Sequence, residues 1–214
     1  LNYYQQALEK NVILGNLKGK ADNLVNMGSA YMSLDNMERA LQYFERSLSI
    51  KRKLGNKRGI AVILNNIGLV HKYSGNLEKA AVYYNESLKI NRKSDYKRGI
   101  AGNLSNLGVI EEIRENLNIS MDYYKMALEI DKEIGYYEGI ANDLNNMASL
   151  YRALGKNEDA IDYYERALKV NMKAGNVYRV LKDYKNLSEI YKSLGNKGKS
   201  RKYNELAQNI TKKI

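Results

Sequence analysis

Along the chain, apolar positions fall at three- and four-residue intervals, and the whole pattern returns every forty residues. In one period Ile60, Ala61, Leu64, Ile67, Gly68 and His71 keep the spacing of one face of a helix, and Ser74, Gly75 and Asn76 interrupt it. Ala80, Tyr83, Tyr84, Ser87, Leu88 and Ile90 then give a second stripe, which runs toward Ser94 and Asp95. Each period therefore predicts helix, tight turn, helix. Leu8, Leu48, Leu88, Leu128 and Leu168 hold one register, Tyr43, Tyr83, Tyr123, Tyr163 and Tyr203 a second, and Asn26, Asn66, Asn106, Asn146 and Asn186 a third. The predicted elements are an outer helix within 1–14, then helix pairs over 17–54, 57–94, 97–134, 137–174 and 177–214, a single all-α array of five units and a half. Gly-Asn pairs at 15–16, 55–56, 75–76, 175–176 and 195–196 supply a left-handed residue and a cap at the turns.

Composition supports this reading and narrows the chemistry. With 44% hydrophobic residues and no proline, the chain can bury a continuous core without breaking its helices. It has no cysteine and a single histidine, His71, so neither a thiolate zinc site nor a nucleophilic triad can be assembled. No catalytic residue, metal or cofactor is expected. No stretch is long and apolar enough to span a membrane and no signal peptide opens the chain. The expectation is a cytoplasmic protein, although a helical array without cysteines suits export equally. The register opens halfway through a unit, which predicts a further unit upstream. Asn204 and Gln208 stand where an aromatic residue and Leu recur elsewhere, and such a polar face predicts an end cap.

Leu24, Met27, Gly28, Tyr31, Ala40 and Phe44, and again Leu144, Met147, Ala148, Tyr151, Ala160 and Tyr164, follow a pattern of known type. The chain resembles the tetratricopeptide repeats over essentially its whole length. The resemblance implies an α-solenoid of antiparallel helix pairs wound into a right-handed superhelix. The usual proline near the end of the second helix is missing and the period is long, which together imply helices extended past the standard stop. The Leu-x-Asn-hydrophobic-Gly string, as in Leu64–Gly68 and Leu104–Gly108, is similar to the subgroup found in kinesin light chains, spindle-orientation adaptors and bacterial sensor proteins. There, asparagines on the inner helices hold the backbone of an extended peptide. The resemblance thus implies a non-catalytic peptide- or protein-binding module in a regulatory or adaptor setting.

Helix geometry bears on the same residues. At about 100° per residue, Asn26 lies roughly 150° from the centre of the stripe formed by Leu24, Met27, Gly28 and Tyr31. It faces away from the core, as do its equivalents. Asparagine is a poor choice inside a helix, so local propensity does not explain its return. A primary amide offers a donor and an acceptor, matching the backbone of an extended peptide. The candidate peptide-binding set is therefore Asn26, Asn66, Asn106, Asn146 and Asn186, with Asn65 and Asn145 widening the polar track. Val62, Leu69, Tyr73, Val109 and Ile113 supply apolar neighbours, and Lys182 and Lys185 a cationic end. Stacked units would align these strips into one groove. The alternative is that each asparagine bonds to the next unit's inner helix and fixes the stacking; Leu69 and Val109 would also serve as contacts between helices.

Net charge changes the picture little. The chain carries +11, concentrated toward its two ends and most densely at Lys197, Lys199, Arg201, Lys202, Lys212 and Lys213, away from the groove strip. A nucleic-acid channel wants cations where the backbone runs, so nucleic acid ranks behind an extended peptide or protein partner. Self-association as a scaffold is the other alternative, with a monomer or weak self-association expected of a peptide receptor. The groove positions equivalent to Asp22 are Val62, Gly102, Asn142 and Lys182; the adaptors of the subgroup tend to carry Arg there, so an acidic-peptide preference like theirs is expected only near Lys182. The segment Ser193–Ser200 imitates a phosphate-binding loop but has Ser at its first position and no preceding strand. The third unit breaks the pattern most, with Asp95 and Glu115 at turn glycines, and predicts a distorted turn. Glu111, Glu112 and Glu115 form an acidic cluster beside Arg114.

Overall fold

The computed structural model describes residues 2–212; Leu1, Lys213 and Ile214, at the two ends of the predicted helices, lie outside the described residues. Among the described residues every regular element is a helix. They run α1 (Asn2–Ile13), α2 (Leu17–Ser33), α3 (Met37–Lys53), α4 (Lys57–Tyr73), α5 (Leu77–Lys93), α6 (Lys97–Ile113), α7 (Leu117–Glu133), α8 (Tyr137–Ala153), α9 (Asn157–Lys173), α10 (Val177–Ser193) and α11 (Lys197–Thr211). The chain forms two compact units, residues 1–110 and residues 111–214.

Short turns reverse the chain between helices, and a side-chain cap marks the start of α2, α3, α4, α10 and α11, whereas Asn76 before α5 makes no such bond. The amide oxygens of Asn16, Asn36, Asn56, Asn176 and Asn196 accept from the backbone N–H three residues on, satisfying one of the orphan donors of each following helix. The preceding residue is left-handed at every turn described. Glycine takes that place at seven of them, for example Gly75 at φ 77°. Asp35, Asp95 and Glu115 take it at φ 58°, 47° and 63°. The distorted turn expected of the third unit is therefore absent. α6 and α7 have the same length as their siblings, and the side chains of Asp95 and Glu115 bear the strain of positive φ.

In the first unit the core gathers Ala40, Phe44 and Leu48 of α3 with Ile63, Leu64, Ile67 and Val70 of α4, beside a smaller cluster of Leu8, Leu24 and Met27. Ala148, Tyr164, Leu168, Leu187 and Ile190 belong to the core of the second. Within hairpins, aromatic rings lie directly on glycine. A Cβ added to Gly28 would stand 2.7 Å from the Phe44 ring, and one added to Gly68 2.6 Å from the Tyr84 ring. Ser47 and Ser87 donate to the carbonyls of Ala21 and Ala61, each at 2.8 Å, tying outer helix to inner helix at the same register. The recurrent tyrosines pack as stacked pairs: Tyr31 on Tyr43, Tyr151 on Tyr163 and Tyr191 on Tyr203. His71 joins them by stacking on Tyr83 at 5.3 Å. Its burial, aided by the nearby charge of Lys79, holds the imidazole below its ordinary pKa.

Two consequences are measurable as urea-unfolding midpoints. Glu115→Gly relieves a side chain held at positive φ and should stabilise the chain by roughly 1 kcal/mol. Gly68→Ala has no room beneath the Tyr84 ring and should cost roughly 1–3 kcal/mol.

Candidate functional site

The inner helices of each unit carry two adjacent asparagine registers, and the structure gives them different surroundings. In the first unit Asn65 lies half-buried, and its Oδ1 accepts from Asn103 Nδ2 at 3.1 Å and from Asn106 Nδ2 at 2.9 Å on α6. Asn103 in turn accepts from Asn91 Nδ2 at 2.8 Å and from the Ser87 hydroxyl at 3.0 Å. A polar chain thus runs from α4 through α6 to α5, with Asn91 and Asn103 buried. Bonds of this kind hold hairpins in register because leaving any member unpaired in the interior is costly.

The second unit repeats the arrangement with an acid at its centre. Asp183 of α10, fully buried, accepts from Asn145 Nδ2 at 2.8 Å and from Asn171 Nδ2 at 2.5 Å. Burial pushes its carboxyl above the ordinary carboxylate pKa, against the opposing effect of those two amides and of Lys182 and Arg179. Asn145 Oδ1 is buried without a hydrogen-bond partner. Asn65 and Asn145 are therefore drawn into bonds between helices, and their donors or acceptors are spent there rather than offered to the surface.

The neighbouring register behaves differently. Asn26 is exposed and Asn66 and Asn186 are half-buried, and none of the three makes a side-chain hydrogen bond among the described residues. Asn106 spends its donor on Asn65 and keeps its acceptor. Asn146 is half-buried and has an interaction of its own. Around Asn66, Val62 and Tyr73 are open to solvent, with the ammonium of Lys72 4.7 Å from the Tyr73 ring centre, while Leu69 and Val109 are half-buried. In the second unit Ile113, Lys182 and Lys185 are exposed, and Arg179 bonds to Asn142 and, at 2.6 Å, to Glu138.

Between α2 and α4 the surface deepens into an open cavity of about 450 Å³ whose lining includes Asn26, Val62, Lys18, Lys51 and Arg58. A smaller one of about 190 Å³ between α4 and α6 includes Val62, Asn65, Asn106 and Arg98. Sequence reasoning missed Lys18, Lys51 and Arg58. The available signal was register: Lys51 stands where Asn11, Asn91 and Asn171 recur, and Lys18, Arg58 and Arg98 share one position at the start of three inner helices. In the acidic cluster of the third repeat, Glu111 and Glu112 are satisfied locally. Glu111 pairs with Arg114 at 2.8 Å, and Glu112 accepts from the Tyr124 hydroxyl at 2.7 Å. Among the described residues no group of three His, Asp or Glu side chains is placed to hold a metal ion, and no helix is long and apolar enough to cross a membrane.

A family model described as tetratricopeptide repeat matches residues 20–93, 99–173 and 144–213. No curated protein matches the chain. Among solved structures, the chain is similar to BtubC (BKLC) from P. vanneervenii, with 19% identity and a TM-score of 0.81 over 98% of this chain and 89% of that one. It is similar to a Rap protein complexed with Competence and Sporulation Factor, with 17% identity and a TM-score of 0.79 over 99% of this chain and 69% of that one. It is also similar to the Rap conjugation gene regulator of the plasmid pLS20 in complex with the Phr* peptide, with 16% identity and a TM-score of 0.79 over 92% of this chain and 55% of that one. At such identities the likeness is one of fold.

The acid at the centre of the second network has a testable cost. In Asp183→Asn, a flip of Asn145 would present its idle Oδ1 to the new amide and reproduce the Asn65–Asn103–Asn91 arrangement without a buried charge. Because the folded pKa of Asp183 is raised, the native chain loses stability as pH rises through that pKa, and the variant does not. Urea midpoints should therefore favour the variant at pH 7, with the advantage shrinking toward pH 4.

Proposed function

The chain belongs to the tetratricopeptide repeat family, and from that premise we propose that it is a binding module that holds an extended peptide or protein segment along its inner helices, without chemistry of its own. One observation carries the reading. Of two adjacent asparagine registers, Asn65 and Asn145 are spent on bonds between helices, whereas Asn26, Asn66 and Asn186 make no side-chain hydrogen bond among the described residues. Helix propensity does not favour asparagine at these positions, and packing makes no use of its amide. What it offers is a donor and an acceptor at each repeat, the complement of a peptide backbone in β or polyproline conformation.

Val62 and Tyr73 then act as apolar contacts for side chains of the bound segment, with Leu69 and Val109 forming the floor between helices. Asn106 contributes its remaining acceptor. In the second unit Lys182 and Lys185 give a cationic neighbourhood to Asn186. The similar Rap regulator solved with the Phr* peptide supports a peptide as the ligand class. A regulatory or adaptor role in a cytoplasmic setting is part of the same proposal.

The test is enrichment from a displayed random-peptide library on the native chain and on an Asn26→Ala, Asn66→Ala double variant, with helicity matched by circular dichroism. The native chain should enrich a consensus, and the double variant should bind it at least tenfold more weakly, as the loss of two hydrogen bonds of about 1 kcal/mol each implies. Equal binding by both forms would assign these asparagines no part in it. Growth of the scattered-light mass with concentration, in place of peptide binding, would favour the scaffold reading.

A further inference from the structure

The cavity between α2 and α4 has a floor unlike that of any other repeat described. At the position where Asn91 and Asn171 bond to Asn103 and Asp183 on the next inner helix, α3 carries Lys51, and α4 offers it Ile63. With no acceptor there, the side chain of Lys51 turns to the groove and its ammonium meets Asp22 Oδ1 of α2 at 2.6 Å. The two partners are unequal: the Lys51 side chain is 5% exposed and that of Asp22 53%. An ammonium has three N–H donors, and Asp22 is the one acceptor Lys51 has among the described residues. A buried cation with two donors left over carries a desolvation cost that a single half-exposed carboxylate does not fully offset.

The surroundings have the same sign. Lys18 and Arg58 line the cavity with Lys51, so three cations face one carboxylate. Arg58 is braced at the rim by the Tyr96 ring, 4.2 Å from its guanidinium carbon. The apolar wall of Val62 suits the methylenes of a side chain longer than Asp, and the free amide of Asn26 adjoins it. We propose that this cavity is a subsite for a glutamate side chain of the bound peptide, whose carboxylate joins Asp22 on the Lys51 ammonium and is closed in by Lys18 and Arg58. The assignment rests on the peptide reading above and gives the ligand a chemical identity at one position. It differs from the sequence expectation, which placed an acidic preference only near Lys182: the cations enter from an outer helix and from the starts of the inner helices, not from the register of Asp22. The second unit has no such site between α8 and α10, because Asn171 stands in place of Lys51, and Arg179 is paired with Glu138.

The test uses a positional-scanning library of N-acetylated, C-amidated decapeptides on the full chain, native and Lys51→Met. On the native chain glutamate should be selected at one position, above glutamine and aspartate, and in Lys51→Met that selection should fall about tenfold or more, the usual weight of a hydrogen bond to a charged group. Preferences at other positions should persist. The subsite is overturned if peptides bind the native chain without glutamate selection, if selection survives in Lys51→Met, or if it appears only with free carboxyl ends, which would make the ligand a terminal carboxylate. Peptides that bind neither form would overturn the groove reading together with this one. Should Lys51→Met fail to fold, the exposed pair Lys18→Gln, Arg58→Gln serves instead, and unchanged glutamate selection there would likewise overturn the proposal.

Discussion

The contact on which the architecture rests is an aromatic ring laid against a glycine. Phe44 over Gly28 and Tyr84 over Gly68 leave no room for even a methyl group, so the helices of these two hairpins approach as closely as backbone allows, while Ala148 and Ser188 hold the equivalent position in the last two. Ser47 and Ser87 are thereby within reach of carbonyls on the facing helix. The same approach fixes the turn. With α2 and α3 clamped at that distance the linking residue Asp35 is left-handed without a glycine's freedom, and Asp95 and Glu115 take the same conformation at their turns.

A hairpin of this kind cannot bury its own apolar faces and must stack. Apolar side chains supply most of the stacking energy, but they tolerate sliding. The buried amide chains do not, because a one-residue slip would leave Asn103 or Asp183 without its partners. One side of each inner helix is thus committed to register. On α4 the next residue along, Asn66, points 100° around the helix and has no hydrogen-bond partner among the described residues. Asn65 and Asn66 can sit side by side in sequence and still meet different surroundings because they look in different directions.

That division explains what could and could not be read from the chain. Helices, turns and the aromatic registers were legible because each depends on residues close in sequence and on a period repeated five times. The separation of Asn65 from Asn66 was not, since it depends on Asn103 and Asn106, partners 38 and 41 residues away on another helix. The third unit's turn was misjudged for a related reason: propensity argued against Asp95 and Glu115 at positive φ, and tertiary packing overrode it. Lys51 is invisible in what the repeats share. Its signal lay in departure from the register, and its meaning required knowing that Ile63 offers it nothing.

The polar chains also mean that the hairpins are not interchangeable, however alike they look. A tandem duplication of residues 57–96 would keep the forty-residue period intact, yet it would set Asn91 against a second copy of Ile63 and bury its amide without the Asn103 acceptor. Duplicating residues 97–136 would instead set Asp131 against a second copy of Asn103, a carboxylate against an amide, as Asn171 and Asp183 already are. Recombination between repeats within the gene is therefore filtered by buried chemistry: some crossovers yield a longer working array, others a chain with a fault at the seam, and the order of the hairpins is inherited as part of the fold.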